Sequence, residues 1–532
     1  MSASRRELCL LAIGSAVLFG LRLGARDLWN PNEPIYGEAV REMAQRGEWL
    51  VPYVNGLAFA EKPILFYWLA LLASKLLGGV SELSLRVPSF LAGIATVLGT
   101  YVLARPYAGR ARAVFSAVVC ATLFGVFWNA RFVQMDILVT AATLWVVIAV
   151  TRVLDHGAGR LPGWILAGAV AGCGFAAKGP VAWICPGLAL FAYLLATKRL
   201  HELLRWEVAA GALSALLVAS PWYLLLWTHG HTEALREALV RQNFQRFVNP
   251  WDHKASWWYY FEYFWVDMAP WALFVPLAFR LERQKEGERR LALLSWLWIA
   301  TIVAFFSFSK SKRSPYILPI APAVALLAGE VALAFVKERL APAKRAWFLA
   351  IAAVLCGIFI VSGATILYGA PLRLANPTAI RVAFLGLTAL IAGVFVALDL
   401  LRRGTRVVAP LSLAVATAAI YLAVGGVTLP ALNVLKSARP LCEQVARLVR
   451  PDDEVASYAF WDWRAEYRYY LDRPITNLPE LEPLREAWSG PRRLVLFVER
   501  ARLDSARQVI GDAVPVAAGA VGESSIYVFT NR

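Results

Sequence analysis

Between Leu8 and about Leu429 the chain is a succession of apolar runs, each roughly 17–25 residues long. A run of that length crosses the hydrocarbon core of a bilayer as a helix. No water is available there, so the backbone must satisfy its own hydrogen bonds. The composition agrees: 59% of the residues are hydrophobic and 17% charged, where a soluble chain is nearer half apolar and about a quarter charged. The runs predict an α-helical multi-pass membrane protein with about thirteen transmembrane helices. They fall near 8–24, 85–104, 112–129, 133–153, 163–177, 180–196, 208–228, 259–279, 291–308, 316–336, 346–369, 381–400 and 408–429. A change of character at Pro430–Ser437 marks a domain boundary, giving a membrane part, 1–436, and a soluble part, 437–532. In the latter, "RRLVLFVE" and "SSIYVFTN" read as strands and "RPLCEQVARLVR" as a helix, so a small α/β domain is expected.

A net charge of +17 raises nucleic acid as a partner, but in a membrane protein excess Lys and Arg collect in cytoplasmic loops. With the N-terminus and Arg5 and Arg6 inside, every expected cytoplasmic loop is basic, including Arg110 and Arg112, Lys198 and Arg199, Arg280, Arg283 and Arg289, and Lys344 and Arg345. The basic, apolar N-terminal run reads as a retained first span rather than a cleaved signal. An odd span count then puts the C-terminal domain outside the cell's cytoplasmic membrane. The six cysteines are scattered with no metal or disulfide spacing.

On this topology the outer side receives two long loops, about 25–84 and 229–258. It also receives cations against the charge rule: Lys178 in "AAKGPVAW", and Lys310, Lys312 and Arg313 in "SKSKRSPYILP". Snorkelling to headgroups is one explanation for a lone lysine. A cluster of three beside Pro315 and Tyr316 points to an anionic ligand. The first outer loop predicts a helix over about 33–45, with Asn32 as its N-cap and Pro34 in its first turn. A second, nearly all-apolar helix is expected over 64–77, both lying along the membrane surface. Glu33, Glu61 and Lys62 are thereby held at the outer interface. Asp136 opens a span from the same side, where a carboxylate is costly unless used or paired. A structural pairing with Arg131 is the plainer alternative for it. His253 lies in an aromatic belt, where it reads as a surface histidine or as a ligand.

The ordered set "WNPNEPIYGEAVREM", "FAEKPILFYW", "RVPSF", "ARFVQMDILV", "AAKGPVAW", "DHKASWWYYF" and "SKSKRSPYILP" resembles the GT-C membrane glycosyltransferases. It is similar to the superfamily of lipid A aminoarabinose transferases and protein O-mannosyltransferases, the former being the nearer branch. The resemblance implies transfer of a sugar from a polyprenyl-phosphate donor to an acceptor on the outer face of the inner membrane. The acceptor is a lipid A-like glycolipid, another glycan or a protein hydroxyl. It implies Glu33 and Asp136 as the acidic pair, and Glu61 and His253 as holders of a divalent metal, zinc or manganese. Lys62, Lys178, Lys310, Lys312 and Tyr316 fall near the donor phosphate, with Arg313 in the same cluster. Two positions depart from the pattern: Asn32 stands where an aspartate is usual, and Ile35 where an arginine is frequent. Asn32 cannot take a proton, which leaves Glu33 or Asp136 as the base, or an acceptor that is already an anion.

The residue chemistry runs the same way. Charge grows on the leaving phosphate oxygen of an oxocarbenium-like transition state, and clustered cations meet it. No Gly-rich phosphate loop is present, so no nucleotide cofactor is expected. The rivals are a transporter or flippase of lipid-linked sugars, and a catalytically degenerate binder.

Overall fold

The structure is a computed structural model, and it describes residues 3–245, 255–283, 285–373, 376–401 and 408–532. The chain divides into two compact units. One comprises Met1–Leu23, Ala60–Leu69 and Arg86–Thr428; the other Gly24–Phe59, Ala70–Leu85 and Leu429–Arg532. The first outer loop therefore packs for the most part with the C-terminal chain.

The first unit is helical. Among the described residues eight helices are long and apolar enough to cross a membrane, or nine if a bent pair counts as one span. The difference from about thirteen expected runs has local causes. The run expected at 85–104 and the first part of that at 112–129 belong to one stretch, Glu82–Ala121, broken at Gly109, whose φ of 81° suits glycine, and the rest is a separate helix, Phe124–Ala130. The run at 208–228 is the bent pair, Trp206–Ala219 and Pro221–Thr228, meeting at 47°. The run at 259–279 is split into a helix, Tyr259–Asp267, and a 3-10 segment, Trp271–Ala278. Pro270 and Pro276 lack the N–H that a continuous helix needs there. Val181–Ala196 is apolar but only 16 residues long.

Burial orders these helices. The most apolar window of Ser314–Val336 is 100% buried and that of Asp136–His156 72%, whereas Pro342–Tyr368 and Ile380–Leu400 are only 22% and 33% buried. The first two form the centre and the last two a lipid-facing periphery. Buried carboxylates collect the arginines of the expected cytoplasmic loops. Glu330 accepts from Arg283 at 2.9 Å and pairs with Arg112 at 3.2 Å. Asp155 accepts from Arg199 at 2.7 Å and from the hydroxyls of Tyr107 and Tyr193. Charges this deep are tolerable because they are paired and hydrogen-bonded. Arg131 donates to the carbonyls of Phe19 at 2.6 Å, Leu21 at 2.9 Å and Gly425 at 2.8 Å. It thereby satisfies orphan acceptors at the C-terminal end of the helix Ala3–Gly20.

In the second unit, the connection after the first outer helix forms a small hairpin, β1 (Tyr53–Val54) and β2 (Leu57–Ala58). Its turn residues Asn55 and Gly56 both have positive φ, the geometry that Asn-Gly favours. The strands β3 (Glu454–Tyr458), β4 (Thr476–Leu478), β5 (Leu494–Glu499), β6 (Ala517–Val521) and β7 (Ser524–Thr530) form one sheet in the order β4-β3-β5-β7-β6. β3 runs parallel to β4 and β5, while β7 is antiparallel to β5 and β6. A separate apolar cluster covers each face, so β5 is buried along nearly its whole length. This is the small α/β domain read from the sequence.

The first outer helix runs Asn32–Arg46, and its cap position is Pro31 with no side-chain capping bond. Asn32 is therefore inside the helix and does not cap it, a correction to the expected start. Glu38 and Glu42 of this helix are buried and pair with Arg468 at 3.0 and 3.3 Å. Arg41 joins Glu38 at 2.8 Å and Asp472 at 2.7 Å. Desolvation raises the Glu38 carboxyl to about 6, against the lowering pull of Arg41 and Arg468.

Candidate active site

Two helix ends make the centre of the site. Asp136 is the first residue of the helix Asp136–His156, and Lys178 the last of Arg160–Lys178, where Gly179 turns the chain at φ 80°. An anion at a helix N-terminus and a cation at a C-terminus are each favoured by the local dipole. The antiparallel packing brings them together, and the Lys178 ammonium forms a salt bridge with Asp136. Both side chains are largely buried, at 15% and 11% exposure. The ammonium also lies 5.1 Å from the ring centroid of Tyr316, a cation–π contact. The partner of Asp136 is thus Lys178, and the guanidinium of Arg131 is directed to backbone carbonyls instead.

This pair lines a cavity of about 360 Å³ within the first unit. Glu61, Lys62, Ser309 and Ser311 add polar groups. Val139, Val181, Ile184, Phe305, Phe306 and Pro319 supply an apolar wall. A ligand with a small anionic head and a hydrocarbon stem fits such a lining: cations for the head, aliphatic and aromatic surface for the stem.

Five of the expected site residues, Glu61, Lys62, Asp136, Lys178 and Tyr316, come together in that lining. Lys310, Lys312 and Arg313 are not part of it. Their segment contributes Ser309 and Ser311, but Lys310 points to the exposed surface. Lys312 is 4% exposed and donates its ammonium to the Ser309 carbonyl. The chain is extended at Arg313 and enters a 3-10 helix, Ser314–Ile320, after it. Lys312 and Tyr316 therefore do not lie one turn apart on a common α-helix.

Glu33 belongs to the second unit. Both its oxygens accept from Arg26, at 2.6 and 2.8 Å, and Oε2 also accepts from the Trp29 N–H at 3.2 Å. Arg26 and Glu33 are nearly fully buried. Sequence reasoning missed Arg26, although a cation seven residues ahead of a helix-opening glutamate was a usable signal. Ser309 and Ser311, in a loop, and Gln242 and Phe306, in helices, were missed as lining residues because nothing in the local pattern sets them apart from their neighbours.

His253 lies outside the described residues. Among the described residues no group of three or more His, Cys, Asp or Glu side chains could hold a metal ion. The described part of the expected pair, Glu61, does not by itself make a metal site.

The chain is similar to known proteins at three levels. Residues 61–227 match the family model of dolichyl-phosphate-mannose-protein mannosyltransferases. The undecaprenyl phosphate-alpha-4-amino-4-deoxy-L-arabinose arabinosyl transferase of Pseudomonas aeruginosa is 33% identical over 339 residues, 61% of this chain and 60% of that protein. A Pseudomonas fluorescens relative of the same name is 30% identical over 62% of this chain and 58% of its own length. The chain thus spans about three fifths of the length of these curated relatives. The solved structure of ArnT from Cupriavidus metallidurans bound to undecaprenyl phosphate superimposes with a TM-score of 0.80 at 21% identity, covering 100% of this chain and 99% of that one. The archaeal oligosaccharyltransferase AglB from Archaeoglobus fulgidus, in complex with an inhibitory peptide and a dolichol-phosphate, gives 0.51 at 12% identity over 95% and 70%.

The chain is a multi-pass membrane protein with the fold of the GT-C glycosyltransferases. By sequence it is similar to the arabinosyl transferases just described.

Proposed function

We propose that this protein transfers a sugar from a polyprenyl-phosphate donor to an acceptor at the outer face of the inner membrane. The observation that carries the reading is the amphipathic cavity in which the Asp136–Lys178 pair, Glu61 and Lys62 face an apolar wall. The likeness to transferases that use undecaprenyl phosphate supports it. The acceptor is a lipid A-like glycolipid, another glycan or a protein hydroxyl.

Lys62 and Lys178 bind the donor phosphate as fixed cations, and the isoprenoid stem lies against Val139, Ile184 and Phe306. In the reaction the bond between the sugar's anomeric carbon and the phosphate oxygen breaks, and its electron pair stays on the phosphate. The acceptor oxygen forms the new bond to that carbon. Asp136 takes the proton that a hydroxyl acceptor must lose. The preorganised ammonium groups stabilise the growing phosphate charge. Both oxygens of Glu33 are occupied by Arg26, which favours an orienting role for Glu33 within its own unit over proton transfer. Lys312 braces the loop that carries Ser309 and Ser311 by donating to the Ser309 carbonyl.

The basic loops support an N-terminus in the cytoplasm and a C-terminal domain outside it. A divalent metal at Glu61 and His253 follows from the family resemblance alone, and no step above is routed through it. Incubating purified protein with a polyprenyl-phosphate sugar tests the reading. A transferase releases polyprenyl phosphate; a flippase or a degenerate binder does not.

A further inference from the structure

A second recess lies in the first unit, among the basic loops expected to be cytoplasmic. It is a groove of about 650 Å³ between the segment Phe279–Arg283 and the start of the helix Glu286–Phe308. Arg289, Leu293 and Trp296 line it at positions i, i+4 and i+7, so they stack along one helix face. Along that face the lining changes from guanidinium to aliphatic to indole. On the opposite wall Phe279 meets Trp296 edge-on, with centroids 6.4 Å apart. The Arg280 guanidinium lies 5.4 Å from the Phe279 ring centroid.

The cations of the groove are unequally engaged. Arg283 is held by Glu330 and by the carbonyls of Ala278 and Leu281. Arg289 donates Nε–H to the Arg283 carbonyl at 3.0 Å and is otherwise exposed. Arg280 is exposed, with the Phe279 face as its described contact. Lys344 donates to the carbonyls of Leu277 and Phe279, which pins the segment in place and adds positive charge. Among the described lining residues Glu282 is the one carboxylate, against three arginines. Phe279 is 60% exposed and Leu293 36% exposed, as lipid-facing side chains of a membrane protein are.

We propose that this groove binds one anionic phospholipid. Its headgroup phosphate is held by Arg280 and Arg289, and one acyl chain follows Leu293 and Trp296. The occupant must carry both charge and hydrocarbon, because the groove offers both along one helix face. A soluble phosphate would use only the arginines. A zwitterionic lipid would bring its own ammonium against them, so the charge balance selects a net anion. The proposal is independent of the sugar-transfer reading, since none of these residues lines the first cavity.

Native mass spectrometry of the full protein, delipidated and then offered equal phosphatidylglycerol and phosphatidylcholine, tests it. The parent should retain one phosphatidylglycerol in preference. The Arg280→Gln/Arg289→Gln variant should bind it roughly 25-fold more weakly, about fivefold for each arginine. Lys198→Gln/Lys337→Gln, which removes the same charge from exposed positions outside the groove, should match the parent. Both arginines are exposed, so an unchanged melting temperature is expected; the single variants replace the double if it fails to fold. Equal retention of the two lipids by the parent would overturn the proposal. So would equal losses in the two double variants, or displacement of phosphatidylglycerol by millimolar inorganic phosphate.

Discussion

Asp136 opens one helix and Lys178 closes the next, and their side chains meet in a salt bridge on the wall of an amphipathic cavity. The pairing has a consequence for the order of events. A base must release its cation before it can accept a proton, and a donor phosphate competes with Asp136 for the same ammonium. On the proposed function, donor binding would draw Lys178 off the carboxylate and ready Asp136 for the acceptor.

Asp136→Asn should lower transfer by at least about tenfold, as expected for loss of acid–base function, while donor affinity rises because the carboxylate no longer competes for the Lys178 ammonium. Single-turnover rates with saturating donor measure this. Because the two side chains act on each other, the effects of Asp136→Asn and Lys178→Met should be non-additive in a double-variant cycle.

Lys62→Met and Lys178→Met should act mainly on the donor. A charge-assisted contact to phosphate contributes about 1.5–3 kcal/mol, so each loss should weaken donor affinity roughly ten- to a hundredfold. Lys312→Met should behave differently, because its ammonium is bound to the Ser309 carbonyl and does not line the cavity. It should lower the melting temperature and leave donor affinity within about threefold of the parent, well short of the loss of a phosphate contact. Donor titration of the three variants decides between these roles.

Arg26→Gln should mimic Glu33→Gln, since each removes the same bidentate pair from the buried start of the first outer helix. If Glu33 instead transfers a proton, Glu33→Gln should be far more damaging to the chemical step than Arg26→Gln. Rates of both variants at saturating donor and acceptor separate the two cases.

Glu38 gives a pH dependence. Its folded carboxyl is raised from 4.5 to about 6, chiefly by desolvation. The folded state therefore binds the proton more tightly than the unfolded one. This group's contribution to stability is fully present below about pH 4.5 and is lost as pH rises through about 6. Melting temperature measured from pH 4.5 to 7 should show a downward component in the parent that Glu38→Gln lacks. Parallel curves for the two proteins would contradict it.

Metal content tests the remaining family implication. If Glu61 and His253 hold a divalent ion, elemental analysis should find it in the purified parent and much less in His253→Ala. Equal content in both leaves His253 an interfacial histidine.

Much of this was legible in the chain. Asp136 and Lys178 were visible as charges at the ends of apolar runs, where burial makes an idle charge expensive. Their mutual pairing was not, because it is decided by which helix ends the tertiary packing brings together. The cluster Lys310–Arg313 was equally conspicuous, but its orientation was misjudged. Pro315 and Pro319 impose a 3-10 path after an extended segment, and the three cations do not line the cavity. Hydropathy likewise saw one run at 259–279 and could not see the interruption at Pro270 and Pro276. The strands β5 and β7 were readable because continuous apolar stretches that short can only be buried sheet or short helix, and their β-branched and aromatic content favours sheet. The packing of the first outer loop with the C-terminal chain rests on buried ion pairs such as Glu38–Arg468, hundreds of residues apart in sequence, and no local pattern announces these.

The central claim is that the cavity around Asp136 and Lys178 breaks a sugar–phosphate bond. Its most direct test is release of polyprenyl phosphate from a polyprenyl-phosphate-linked sugar by purified protein in lipid nanodiscs, with a membrane extract as the source of acceptor. The account predicts acceptor-dependent release by the parent and at least about tenfold less by Asp136→Asn. Donor that is bound or moved across the bilayer but recovered intact, or release that Asp136→Asn leaves unchanged, would contradict it.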